Sequence, residues 1–191
     1  MTEVTTLTQT QIEYPELTGD YTIDPAHSRF GFVARHAMVT KVRGQFNRFE
    51  GTLRLDGDQP LASSGELVIE ASSIDTRNPD RDAHIRSNDF LAMEEYPQIT
   101  FRTTGLEGGP DRYRVNGDLT VRGVTNPVTF QVDMTGAAVD SWGQTRVGFE
   151  GTAVVNRKDW GVNWNAALEA GGVLVSEKVT LEFEISAIKI T

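Results

Sequence analysis

A chain of 191 residues is the right length for one all-β domain around a single core, and with no cysteine it cannot use disulfides, thiolate catalysis or cysteine-held zinc. Its 27 acidic residues against 18 basic ones give a net charge of −9, with no run of Lys and Arg, which argues against a nucleic-acid partner whose phosphates need clustered cations. Hydrophobic residues make up 38%, yet no stretch approaches the roughly 18 consecutive apolar residues of a transmembrane helix.

Residues 1–18 are Thr-rich and aperiodic, which reads as an arm, with the domain expected over residues 19–191. The opening stretch carries Glu3, Glu13 and Glu16, no Lys or Arg, and no apolar run of the roughly seven residues an export signal needs, so a cytoplasmic protein is expected. From Gly19 onward the dominant signal is alternation with period two, the pattern of strands with one buried face. Phe30, Phe32, Ala34 and His36 share a face, as do Phe49, Gly51, Leu53 and Leu55, and then Leu67 and Ile69. Asn78-Pro79 then starts a predicted helix to about Ser87: the Asn side chain can cap free N–H groups, Pro suits the first helical position, and Asp80 and Asp82 suit the positive end of the helix dipole. Lying between two strand patterns, this helix is expected to cover one mouth of a barrel, with Phe90 turned inward.

Strand patterns resume at Ile99, Phe101 and Thr103, and continue through Tyr113–Val121 and Val147–Val155. They are clearest where Val128, Phe130, Val132 and Met134, and later Val179, Leu181, Phe183 and Ile185, alternate with polar residues. Asp56–Asp58, Gly108–Asp111 and Arg122–Pro127 are predicted turns. Eight or more strands at this spacing mean a sandwich or a barrel. Gly31, Gly44, Gly51, Gly117, Gly148 and Gly151 sit inside strand patterns and favour the sharply coiled strands of a barrel, the alternative being that some mark short loops.

Chemistry-bearing motifs are sparse. His27, His36 and His84 are too far apart in sequence for local zinc spacing, and no nucleophile elbow, dinucleotide fingerprint or phosphate-cradling loop occurs. No catalytic residue and no metal site is assigned, and the chain is read as a non-enzyme. His36 shares the parity of Phe30 and Phe32 and reads as a barrel-facing histidine that hydrogen-bonds one partner, which a ligand can supply. Trp160 and Trp164, four apart, either stack on a ligand at a barrel rim or simply close the barrel end.

Several blocks together resemble one family. Asp24-Pro25-Ala26-His27-Ser28 leads into Phe30-x-Phe32-x-x-x-His36 and Val42-Arg43-Gly44-Gln45-Phe46-x-x-Phe49-x-Gly51. Ser73-Ile74-Asp75-Thr76, Arg81-Asp82-x-His84-Ile85-Arg86-Ser87-x-Asp89-Phe90 and Tyr96-Pro97-x-Ile99-Thr100-Phe101 form the most distinctive block. Gly117–Thr125 and Arg157-Lys158-Asp159-Trp160-Gly161-Val162 complete the set. Over residues 19–190 the chain resembles the YceI-like, polyisoprenoid-binding family, although Trp160 stands where that family more often has Phe.

The resemblance implies a lipocalin-like antiparallel barrel of about eight strands with a short helical insertion. It also implies a chain that binds and carries or sequesters a long isoprenoid-type lipid, a prenyl quinone or polyprenyl chain, without covalent attachment or another cofactor. It further suggests a homodimer; transient contact with a membrane is compatible with it. The expected wall of the site comprises Phe30, Phe32, Ala34, His36, Val42, Phe46, Leu67, Ile69, Phe90, Phe101, Leu119, Phe130, Phe149, Trp160, Leu181 and Phe183. The competing expectation is a stress-related interaction protein whose barrel is filled by its own side chains and holds no physiological lipid.

Overall fold

The computed structural model describes residues 14–110 and 112–190. Its strands are β1 (Gly19–Ile23), β2 (Arg29–His36), β3 (Thr40–Phe46), β4 (Phe49–Leu55), β5 (Ser64–Glu70), β6 (Ile74–Asp75), β7 (Gln98–Gly108), β8 (Arg112–Val121), β9 (Val124–Val139), β10 (Thr145–Asn156) and β11 (Lys178–Lys189), with one helix, α1 (Pro79–Arg86), between β6 and β7. All pairings are antiparallel, and β11 pairs with both β10 and β1, which closes the sheet. Three staves are each interrupted once: β1 and β2 by the turn Pro25–His27, β3 and β4 at residues 47–48, and β5 and β6 by the turn Ala71–Ser73. Counted as staves, the eleven segments make an up-and-down barrel of eight strands.

Alternation translates directly into facing. Val128, Phe130 and Val132 are buried while Thr129 and Gln131 are exposed, and Val147, Gly151 and Ala153 repeat the pattern in β10. The strand glycines are not loop markers; all six lie inside strands. At Gly117 an added Cβ would stand 2.2 Å from Phe101 Cζ, and at Gly151 one would stand 2.3 Å from Phe183 Cζ. In each case a phenyl ring from the neighbouring strand occupies the space that a Cβ would fill.

One turn prediction needs correction. Only Arg122 and Gly123 form the β8–β9 turn, and Val124–Pro127 already belong to β9, with Pro127 opposite Asp118. The β9–β10 ladder runs from Thr145↔Val139 only as far as Thr152↔Gln131. The first residues of β9 therefore behave as an edge, where a residue without an N–H is tolerated.

The barrel has two unlike ends. One carries the β2–β3 turn, α1 with the segment after it, the Arg122–Gly123 turn and the long connection from β10 to β11. The other carries the turn Tyr14–Leu17, the β4–β5 loop and the β9–β10 turn. Of the expected arm, residues 1–13 lie outside the described residues; Tyr14–Leu17 form a 3₁₀ turn, with Leu17 buried and its carbonyl accepting from Tyr21 Oη at 2.8 Å.

Helix α1 forms as its start signal requires: Asn78 Oδ1 accepts from Arg81 N at 3.0 Å and Pro79 occupies the first position. Asp82 does more than suit the dipole. It is buried, and its Oδ1 accepts from Thr76 N at 2.9 Å and Thr76 Oγ1 at 2.6 Å, while Arg81 Nε donates to the same hydroxyl at 2.7 Å. Asp82→Ala leaves that buried N–H unpaired, and thermal unfolding should report a loss of about 1–3 kcal/mol. A variant as stable as wild type would mean that Thr76 finds another acceptor.

At the far end Arg146 ties the β9–β10 turn to the break between β1 and β2: Nη1 lies 2.7 Å from Asp24 Oδ2 and Nε 2.8 Å from Asp140 Oδ2. Arg146, with smaller help from His27 and the Ala26 N–H, holds the Asp24 carboxyl below its ordinary value of 3.8. Burial pulls Asp140 upward, and Arg146 with the N–H groups of Gln144 and Trp142 overcomes it, so Asp140 also sits below 3.8. The ionised forms therefore favour the folded chain fully above that value, and the contribution is lost as pH falls below 3.8 through the depressed folded values. Melting temperatures taken on acidification through that range should drop less steeply in Arg146→Gln than in wild type. Parallel pH profiles would show that the knot contributes nothing to acid sensitivity.

Candidate functional site: the barrel interior

A cavity of about 740 Å³ occupies the lumen. All sixteen side chains expected on its wall line it, contributed by β2, β3, β5, β7, β8, β9, β10 and β11, by the segment after α1, and by the turn that holds Trp160. Aromatic rings form much of this wall. Phe101 meets Phe130 edge-on at 5.4 Å between centroids, Phe130 lies 5.3 Å from Phe183, and Phe30 lies 6.1 Å from Phe183. The barrel is therefore hollow and not filled by its own side chains. Its volume falls in the range of about 300–1,000 Å³ typical of small-molecule sites.

Polar groups meet this apolar wall at the end away from α1, where Asp56, Ser63, Ser64, Glu66 and Thr103 line the cavity, and also at the mouth beside α1. Residues Asn78, Asp80, Arg81, His84 and Ile85 line the cavity from the helix side, so α1 covers this mouth, and Phe90 faces the cavity as expected. His84 packs edge-on against both Phe90 (5.1 Å) and Trp164 (4.6 Å), and its Nε2 lies 2.8 Å from Asp89 Oδ2. His36 stands on the same rim, exposed, and its ring has no hydrogen-bond partner among the described residues. It is thus free to act as an anchor. His27 is outside the lumen, paired with Asp24 at 2.7 Å, and among the described residues no group of His and carboxylates is arranged to hold a metal.

The two tryptophans have different roles. Trp160 is buried and donates from Nε1 to the Leu119 carbonyl at 2.9 Å, closing the wall, whereas Trp164 joins His84 and Phe90 in the aromatic cluster at the mouth. Sequence reasoning did not place Arg157 in the site. It is buried and lines the cavity, with Nε donating to Ser176 O (2.8 Å), Nη1 to Val162 O (2.6 Å) and Nη2 to Val175 O (3.4 Å). Burial pushes its guanidinium below the ordinary value, opposed by Glu177. The signal was present, since Arg157 continues the inward parity of Val147, Phe149, Gly151, Ala153 and Val155. Leu17, Leu174 and Val175 also line the cavity from segments that carry no periodic pattern.

A family model described as the YceI-like domain matches residues 21–187. The UPF0312 protein SA2479 of Staphylococcus aureus is 37% identical over 169 residues, covering 88% of this chain and 95% of that relative. The crystal structure of Burkholderia cenocepacia BcnA superposes with a TM-score of 0.75 at 22% identity, over 86% of this chain and 98% of that one. A polyisoprenoid binding domain from Saccharophagus degradans gives 0.66 at 16% identity, over 88% and 98%. With a family model spanning β1 to β11 and a relative of this identity over most of its length, the chain belongs to the YceI-like family.

Proposed function

We propose that this protein binds and carries or sequesters a long apolar isoprenoid-type lipid, a prenyl quinone or polyprenyl chain, inside the barrel, and that it acts as a binding protein and not as an enzyme. The observation that carries this reading is the 740 Å³ lumen walled by aromatic and aliphatic side chains, with polar groups gathered at its two ends. Burying about 400 Å² of prenyl surface contributes about 10 kcal/mol before the costs of association, with no polar contact required. A headgroup then needs only one or two anchors, and His36 is placed to be one. The similarity in fold to the Saccharophagus degradans polyisoprenoid binding domain supports the same ligand class. On the family resemblance, the working form in this reading is a homodimer, which light scattering measures directly.

Titration with a prenyl quinone tests the reading. Trp160 and Trp164 line the cavity, whereas Trp142 is 80% exposed on the β9–β10 turn. Quinone uptake should quench fluorescence saturably at one ligand per barrel, and the change should persist in Trp142→Phe. Quenching that never saturates would speak against a defined site.

A further inference from the structure

Residues 25–49 contain Arg29, Arg35, Lys41, Arg43 and Arg48 but no Asp or Glu, in a chain whose net charge is −9. Arg29 is paired with Glu182 and Arg48 with Glu70. Arg35, Lys41 and Arg43 are exposed and make no ion pair among the described residues. They flank the β2–β3 turn, whose tip presents Met38 and Val39, 58% and 76% exposed. Val39 N donates to His36 O at 3.0 Å, and both central residues, Ala37 (φ 51°) and Met38 (φ 63°), lie in the left-handed region that such turns usually fill with Asn-Gly. Here Ala37 and Met38 hold a conformation unfavourable to residues with a side chain. The turn is braced from behind, since Ala37 N donates to Leu174 O at 2.7 Å and Ser176 N to Arg35 O at 3.0 Å.

From these observations we infer that the β2–β3 hairpin docks the cavity mouth onto an anionic phospholipid bilayer, with Met38 and Val39 entering the headgroup boundary and Arg35, Lys41 and Arg43 meeting lipid phosphates. The chemistry matches on both counts: exposed apolar side chains inside a cationic collar are what an interfacial anchor needs. Continuity with the site adds a geometric reason. Ala34, Arg35 and His36 line the cavity and lead along the same strand to the tip, so a chain leaving the lumen there would meet the membrane. On the strands paired with the hairpin, Glu182 holds Arg29 and Asp75 accepts from Asn47 and from Arg77 N, while the exposed Glu184 stands opposite Arg29 at the far side from the tip. Asp80, Glu94, Glu95, Asp159 and Glu169 are exposed on the segments at the same end and oppose the attraction, so the apolar tip adds to what the cations supply. The carrier reading gives the docking its purpose but is not needed for the docking itself.

Co-sedimentation of the full chain, without added lipid cargo, tests this with vesicles of phosphatidylcholine alone and with about 30% phosphatidylglycerol. Wild type should bind the anionic vesicles, less at high salt, and barely touch the neutral ones. Lys41→Glu with Arg43→Glu should weaken binding at least ~20-fold, and Met38→Ser with Val39→Ser about 10-fold. Thermal unfolding and quinone titration of each variant should match wild type, because none of these four side chains lines the cavity. Trp142→Ser, at the opposite end, should bind as wild type. No sedimentation of wild type, undiminished binding by both double variants, or loss of binding by Trp142→Ser would each overturn the proposal, and none of these outcomes touches the titration result.

Discussion

Ala34→Trp should abolish uptake of a prenyl quinone while leaving the barrel folded. Ala34 is half-buried on β2, opposite Val42 of β3, and both line the cavity near its rim. In a packed core an indole at this position would force neighbours off their rotamers at a cost of about 1–3 kcal/mol or more. Beside an open lumen it can instead occupy the space the lipid chain would fill. Titration should then show binding lost by more than about 100-fold, the affinity equivalent of a few kcal/mol of forfeited chain burial. His36→Ala should cost only about 1–3 kcal/mol, the scale of one polar contact left unmade. Normal uptake by Ala34→Trp would move the site out of the lumen. An unfolded variant would mean that position 34 belongs to a packed core.

The largest effect on stability is expected at Arg157. Its guanidinium satisfies carbonyls at Val162, Val175 and Ser176, so one side chain fastens both ends of the connection that crosses the mouth. Asn165 reinforces it, donating to Val175 O at 2.8 Å and accepting from Val175 N at 3.0 Å. Arg157→Met preserves apolar bulk and removes every donor. Val175 O keeps its bond from Asn165, so two carbonyls, Val162 O and Ser176 O, are left short of a partner at about 1–3 kcal/mol each, which, less the relief of no longer burying a charge, gives a net loss of about 3 kcal/mol. For a chain of this size that lowers the melting temperature by about 6–12 °C. Limited proteolysis should find new cleavage between residues 162 and 176. Resistance and melting equal to wild type would show that desolvating the guanidinium cancels its hydrogen bonds.

Parity was the most informative signal in the sequence. It placed Phe30, Phe130, Phe149 and Phe183 on one interior because a half-buried strand must send alternate side chains inward, whatever the order of its neighbours. Local chemistry located α1, whose Asn78-Pro79 start depends on a single turn of chain. What alternation could not show were the breaks at Pro25–His27 and Ala71–Ser73, because they arise from how successive staves bend to close the barrel. The place of Pro127 inside β9 is hidden for a related reason: the end of the β9–β10 ladder, which leaves that proline on an edge, is a tertiary fact. Gly117 and Gly151 sit inside strand patterns, yet the rings of Phe101 and Phe183 that need them are on other strands. Leu174 and Val175 reach the cavity through hydrogen bonds to the β2–β3 hairpin and to Asn165, which no local pattern announces.

Whether the lumen takes up an isoprenoid chain is decided by native mass spectrometry. Wild type and Ala34→Trp would each be incubated with a prenyl quinone and a saturated fatty acid of similar carbon number, supplied together in equal amounts. One prenyl quinone per wild-type barrel, little fatty acid and no adduct on Ala34→Trp is the predicted result. A wild-type spectrum without lipid, or the same adduct on both proteins, would contradict it.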